Sequence, residues 1–243
     1  MRIISLVPSI TELLHYLGLN DETVGITKFC VHPEEWYQTK PRVGGTKNVN
    51  IPAVKALHPT LIIASKEENI KEQVNELSLF SEILLTDVSH FDDALQMIGT
   101  IGTLTGRTHF ANRLISRIQE LFENTGLYEP VTATYLIWKS PWMTVGRDTF
   151  ISSMMKKAGF RNITDQQTRY PEITLQKLRE MQPQYVFLSS EPYPFKEEDV
   201  AIVQEQLPHS KVMLVNGEMF SWYGSRMLHA AGYFKEFRNT IKS

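Results

Sequence analysis

Cysteine is almost missing from this chain of 243 residues: Cys30 stands alone. No intramolecular disulfide framework can therefore form, and the compartment stays undecided, because many exported proteins also lack disulfides. Long apolar runs are missing too, and none approaches the roughly 20 residues that a membrane-spanning helix needs. Nor does charge of one sign accumulate. The net charge is -2, and with no basic run or stripe nucleic acid is not an expected partner. The start, "MRIISLVPS", has one basic residue and a short apolar stretch broken by a serine before Pro8. That is too short for the apolar segment of a signal peptide. Either the chain stays in the cytoplasm or a leader precedes it.

Signatures of catalysis are equally scarce. "VGGTK" at 43–47 lacks the spacing of a phosphate loop. Neither a G-x-S-x-G nucleophile elbow nor a G-x-G-x-x-G fingerprint occurs. Cys30 and His32 would make a nucleophile and base only with an orienting acid, and the pattern offers no obvious one. A structural thiol beside a loop histidine is the better reading. The seven histidines are scattered, with no second His/Cys cluster at ligand spacing. No catalytic residue and no resident metal or cofactor is expected, although His32 is kept as a candidate axial ligand to a metal-containing ligand.

What is present is a regular alternation of short apolar runs with helical patterns, which argues for α/β with mainly parallel strands. Six strands are expected, at 3–7, 61–65, 82–86, 133–138, 185–189 and 211–215. Ser9 and Glu12 have the spacing of a capping box, and Gly18 closes that helix. An internal repeat follows. "VKALHPTLIIASKE" (54–67) aligns without a gap with "LREMQPQYVFLSSE" (178–191), and "ITELLHYLG" echoes "ISSMMKKAG" in the same order. Two similar lobes are implied, an N-terminal one at 1–90 and a C-terminal one at 125–243. Between them, 91–124 keeps helical spacing on both sides of Gly106. Read as a single α-helix it would span roughly 50 Å and bridge the lobes as a rigid strut.

Ligands of parallel α/β sheets bind beyond the carboxyl ends of the strands. On or beside the second-lobe segments fall eight rings: Trp138, Trp142, Tyr170, Tyr193, Phe195, Phe220, Trp222 and Tyr223. The last three lie in "FSWYG", a glycine-flanked stretch hard to bury as core. Rings offer large apolar contact at low entropic cost, which suits a bulky ligand. "TKFCVHP" (27–33) adds Phe29 to the first lobe, while Lys28, Lys47, Lys66 and Arg226 are cations suited to carboxylate or phosphate groups. The acids Glu67, Glu68 and Glu72 on one lobe and Glu197 and Glu198 on the other are either solvated helix starts or paired patches for a two-fold basic partner.

Taken together, "RIISLVPSITELLHYLG", "LHPTLIIAS", "TVGRDTFISSMMKKAGFRNIT", "YPEITLQKLREMQPQYVFLSS" and "FSWYGSRM" resemble the helical-backbone substrate-binding proteins of ABC importers, cobalamin binders above all, with haem and ferric-siderophore receptors as relatives. The resemblance covers nearly the whole chain. It implies a monomer of two lobes bridged by one long helix, ligand held in the cleft between them and little closure. It assigns ligand contacts to Pro8, Ser9 and Thr11, to the loop from Trp138 to Trp142 and to the loop from Phe220 to Tyr223. It assigns docking on an importer permease to the two acidic regions. It also implies a periplasmic or cell-surface setting. Two rivals stay open: a cytoplasmic corrinoid or haem carrier or sensor on the same fold, and an enzyme using Cys30, His32 and a glutamate.

Overall fold

A computed structural model describes residues 1–123, 129 and 131–242. The chain divides into two compact units. Unit 1 gathers Met1–Val88, Asp92–Arg117 and Tyr223–Arg226. Unit 2 gathers Ser89–Phe91 with the described residues of Ile118–Trp222 and of the chain from Met227 on. The expected boundary between 124 and 125 falls outside the described residues.

Unit 1 runs β1 (Ile3–Ser5), α1 (Pro8–Tyr16), β2 (Thr23–Ile26), α2 (Glu34–Thr39), α3 (Ile51–Ala56), β3 (Leu61–Ser65), α4 (Lys71–Leu77) and β4 (Glu82–Thr86). Its four strands are all parallel, in the order β2-β1-β3-β4. Every residue of central β3 is buried, as a strand covered on both faces must be. Ile4, Leu6, Ile62 and Ala64 pack with Val54, Val74 and Leu77 from the helices.

Two helices follow, α5 (Phe91–Leu104) and α6 (Thr108–Glu123). The single helix expected over 91–124 is therefore not formed, and its last residue, Asn124, lies outside the described residues. Gly106 takes φ +69, the left-handed turn that ends α5. The chain then doubles back. A Cβ on Gly102 would fall 2.3 Å from that of Ala111, and one on Gly99 would lie 3.7 Å from Ile115. In a continuous helix 102 and 111 would stand about 13 Å apart. Glycines that look like weak points of a strut are the contact surface of a helical hairpin.

Unit 2 repeats the plan with β5 (Val131–Leu136), α7 (Phe150–Lys157), β6 (Phe160–Asn162), α8 (Leu175–Met181), β7 (Tyr185–Ser189), α9 (Glu197–Gln206), β8 (Lys211–Val215), α10 (Glu218–Ser221) and α11 (Met227–Lys242). Its sheet order, β6-β5-β7-β8, is again wholly parallel. The sequence repeat is thus a structural one. Gly18 and Gly159 both close the helix after the first strand at positive φ, +72 and +79. His58 and Gln182, each just before the repeated proline, share φ values of 46 and 48. Both strands missed from the sequence, β2 and β6, sit at the same edge position.

The capping box at Ser9 and Glu12 is not formed. Val7 is the N-cap of α1, without a side-chain bond, and Pro8 opens the helix. Glu12 instead receives the Nε–H of Arg226 at 2.9 Å. A charge-assisted bond from a distant cation outweighs one weak local cap.

Candidate functional site

The carboxyl ends of the strands collect the expected side chains separately in each unit. In unit 1 the centre is buried and hydroxylic. Thr11 Oγ1, one turn into α1, lies 2.8 Å from Ser5 Oγ, 3.0 Å from the carbonyl of Val7 and 3.0 Å from Cys30 Sγ. Thr27 Oγ1 reaches the same sulfur at 3.2 Å. Burial pushes the Cys30 thiol up, and the charge of Glu68 adds to this against the hydroxyl contacts. A buried, protonated thiol is a poor nucleophile.

At the end of β3, Ser65 Oγ accepts the N–H of Glu67 at 3.2 Å, and the Ser65 N–H donates to Asn69 Oδ1 at 2.8 Å. Ser65 and Thr86 are also the hydroxyl partners of Tyr223. Burial raises the Tyr223 phenol, helped by the charge of Glu68, so it stays a neutral donor. Glu67 and Glu68 are therefore half-buried beside Tyr223, with the Glu67 carbonyl held by Lys47 Nζ at 2.7 Å. Glu72 is exposed in the first turn of α4. Pro8 is half-buried and Ser9 buried at the start of α1. Gly224, at φ +96, brings the Tyr223–Arg226 stretch against Leu13 and the Ser9 carbonyl.

The rim of unit 1 is different. Phe29 is half exposed, its ring laid on Gly45, where a Cβ would come within 3.1 Å. Lys28 Nζ stands 5.0 Å from the centroid of that ring, a cation–π geometry. His32 is half-buried on the same loop. Lys66 pairs with Asp87 at 2.6 Å, both largely exposed. Arg226 is not a rim cation, since its partner Glu12 holds it and both side chains are largely buried.

In unit 2 the strand ends carry rings. Trp138, just past β5, is 41% exposed and meets Tyr193 edge-on at 5.5 Å. Tyr193 contacts Phe195 at 4.6 Å, and Phe195 stacks on Trp142 at 5.9 Å. Four rings from the loops after β5 and β7 thus form one cluster, with Phe195 buried beneath. Tyr170 is half-buried, with the Arg169 guanidinium 5.7 Å from its ring centroid. The backbone on either side of it pairs with this loop, the Ile173 N–H donating to the Trp142 carbonyl at 2.9 Å and the Gly146 N–H to the Arg169 carbonyl at 2.7 Å.

Three rings expected at the surface are buried: Phe220 is fully enclosed, Trp222 is 7% exposed and Tyr223 5%. Phe220 is a core residue, with Phe234 at 4.8 Å, Tyr135 at 5.2 Å and Phe187 at 6.3 Å. The flanking glycines bring this stretch inward. A Cβ on Gly217 would lie 2.6 Å from both Ser189 Oγ and Glu191 Cγ, so α10 packs directly on the end of β7. Ser221 Oγ donates to Glu191 Oε1 there.

Lys139 and Asp199 escaped the sequence reading. Lys139 Nζ lies 2.6 Å from Asp199 Oδ1, while Asp199 Oδ2 accepts the Lys196 N–H at 3.0 Å and caps α9. Burial alone would raise the Asp199 carboxyl, but those two bonds and both lysine charges hold it below the usual range. The bond to Asp199 raises Lys139. The acid at the third position of α9 was a visible cap signal, but its partner 60 residues upstream was not. Glu197 and Glu198 stand exposed in the same first turn. Among the described residues no three His, Cys, Asp or Glu side chains gather to hold a metal ion, and no helix is long and apolar enough to cross a membrane.

Comparison with known proteins adds an independent line. A family model described as periplasmic binding protein matches residues 3–208. A vitamin B12-binding protein of Pectobacterium carotovorum is 25% identical over 242 residues, covering 95% of this chain and 85% of that protein. An uncharacterised ABC transporter substrate-binding lipoprotein of Bacillus subtilis is 27% identical over 195 residues, 75% of this chain and 61% of its own length. Among solved structures, the periplasmic vitamin B12-binding protein of Vibrio cholerae superposes with a TM-score of 0.83 at 22% identity, covering 100% of this chain and 98% of its own. A periplasmic haem-binding protein of Roseiflexus reaches 0.82 at 18% identity, covering 97% and 96%.

Proposed function

The chain belongs to the periplasmic binding protein family, and from that premise we propose that it is the substrate-binding protein of an ABC importer for a bulky metal chelate, cobalamin first. The observation that carries the reading is Trp138, a large ring kept 41% exposed at the end of β5 by a bed of further rings. An exposed indole backed by other rings gives a broad ligand a flat, pre-set contact. Relatives named for vitamin B12 binding support cobalamin over other chelates; haem and ferric siderophores are the competing ligands.

The remaining assignments follow the same premise. Glu72, Glu197 and Glu198, exposed at helix starts, are the acids available to a basic permease surface. Glu67 and Glu68 face Tyr223 instead. Enzyme chemistry at Cys30 is disfavoured by a thiol held protonated against two threonines. A monomer delivering ligand from outside the cytoplasmic membrane is the setting proposed.

Tryptophan fluorescence tests this directly, because corrinoids and haem absorb where indole emits. Titration with cyanocobalamin should quench emission and saturate at one ligand per chain, with haemin and ferrichrome weaker. Quenching by none of the three would sink the reading.

A further inference from the structure

We propose that Lys139 is the positioning residue of the exposed aromatic face of unit 2, fixing the Trp138–Met143 loop to the start of α9 through Asp199. The proposal rests on the reading that Trp138 meets the ligand. That loop leaves the sheet after β5 and is closed on itself by the Trp138 carbonyl accepting the Met143 N–H at 3.2 Å, and the Met143 carbonyl accepting that of Ile137 at 3.0 Å. Such a closed loop can still swing as a body. Several ties oppose this, among them the Ile173 N–H donating to the Trp142 carbonyl at 2.9 Å and the Trp142 ring stacked on Phe195. The Tyr193 N–H reaches the Ile137 carbonyl at the long distance of 3.4 Å, and the Trp138 ring rests edge-on against Tyr193.

Lys139 supplies a stronger one. At 2.6 Å its ammonium makes a charge-assisted bond to a carboxylate that is itself fixed. Asp199 is buried and already capping α9, so it has little freedom to follow a moving lysine. The side chain next in sequence to Trp138 is thereby anchored to a ten-residue helix. A ligand-facing ring held by its supporting shell loses less freedom on binding than one on a loose loop.

The experiment compares Lys139→Met, Asp199→Asn and Lys139→Arg in the full chain. Asparagine keeps an acceptor for the Lys196 N–H, so α9 retains its cap while the ion pair is lost. Amide hydrogen exchange is measured first, without ligand. Peptides covering 137–143 should exchange about tenfold faster in the methionine and asparagine variants and within twofold of wild type in the arginine variant, with the Phe187–Phe220 core unchanged. Dissociation constants for cyanocobalamin and haemin follow; about tenfold weaker binding is expected in the first two variants, with arginine restoring it. Unchanged exchange in Lys139→Met overturns the proposal, as does an arginine variant as impaired as methionine. Faster exchange with unaltered affinity also overturns it. If wild type binds neither probe, the receptor reading fails separately, and the exchange comparison decides alone whether Lys139 fixes the loop.

Discussion

Units 1 and 2 share a strand order, a helix-closing glycine and a left-handed residue before a proline, yet their strand ends differ in chemistry. In unit 1, the loops after β1 and β2 converge on hydroxyls and a thiol, Ser5, Thr11, Thr27 and Cys30, and β3 and β4 end at Ser65 and Thr86. In unit 2 the corresponding loops end on rings, Trp138, Trp142, Tyr193 and Phe195. Even Ser189, equivalent to Ser65, is bonded by a phenol from within its own sheet, Tyr135 at 2.9 Å, whereas Ser65 takes Tyr223 from far along the chain. A duplicated frame fixes where loops emerge; it leaves their side chains free to diverge. The polar centre of unit 1 is buried, and the half-exposed ring of Phe29 stands at its rim. Unit 2 keeps Trp138 exposed on a bed of half-buried and buried rings.

The largest effect that would sharpen this contrast is Phe220→Ala against Phe29→Ala. The first removes a fully buried ring from unit 2 and should cost about 3–5 kcal/mol by denaturant unfolding. The second removes a half-exposed ring and should stay within about 0.5 kcal/mol. Equal losses would erase the distinction between a core ring and a rim ring.

Next in size is Gly102→Ala, which tests the helical hairpin of unit 1. In a continuous helix alanine would stabilise by about 1 kcal/mol. Packed against Ala111, the added methyl should destabilise by about 1–3 kcal/mol. The sign of the change in unfolding free energy decides between them.

The smallest effect compares ion pairs. Asp199 is depressed in the folded state, so its contribution is present above the ordinary carboxylate range and is lost as pH falls through its lowered value. Lys139 is raised, so its contribution is present below the ordinary lysine range and is lost as pH climbs through its raised value. Glu198, Tyr193 and Lys196 face the pair and modulate it. Asp199→Asn should flatten the acid limb of a melting-temperature profile. Asp87→Asn should leave it unchanged, because the Lys66–Asp87 pair of unit 1 is exposed and screened. A similar acid limb in both variants would break the comparison.

Much of the frame was legible because its signals are local. Gly18, Gly159, Pro59 and Pro183 punctuate the repeat, and the buried runs of β3 and β7 need no partner to be recognised. "TVGI" and "FRN" were missed because three or four residues containing a glycine or an arginine carry too little periodicity. The hairpin was missed because the same spacing of apolar residues serves a straight helix and two packed ones; only the contact of Gly102 with Ala111 separates them. Distance in the chain hid where some of the expected site residues lie. Arg226 looked like a ligand cation because Glu12 lies 214 residues away. Phe220 looked exposed because its glycine neighbours suggest mobility, whereas Gly217 marks close packing on β7. Trp142 and Tyr193 lie beyond the strands as expected, whereas Trp138, expected to end the strand at 133–138, lies past a β5 that stops at Leu136. The contacts among these rings could not be read.

An exposed ring kept for a ligand should be needed for binding and not for folding. Isothermal titration of cyanocobalamin into wild type and Trp138→Ala, with melting temperatures alongside, tests this most directly. Wild type should bind one equivalent. The variant should bind roughly five- to a hundredfold more weakly, as the loss of about 1–3 kcal/mol of ring stacking requires, with its melting temperature nearly unmoved. Equal affinity in the two proteins, or a variant that loses stability and keeps its affinity, would contradict it.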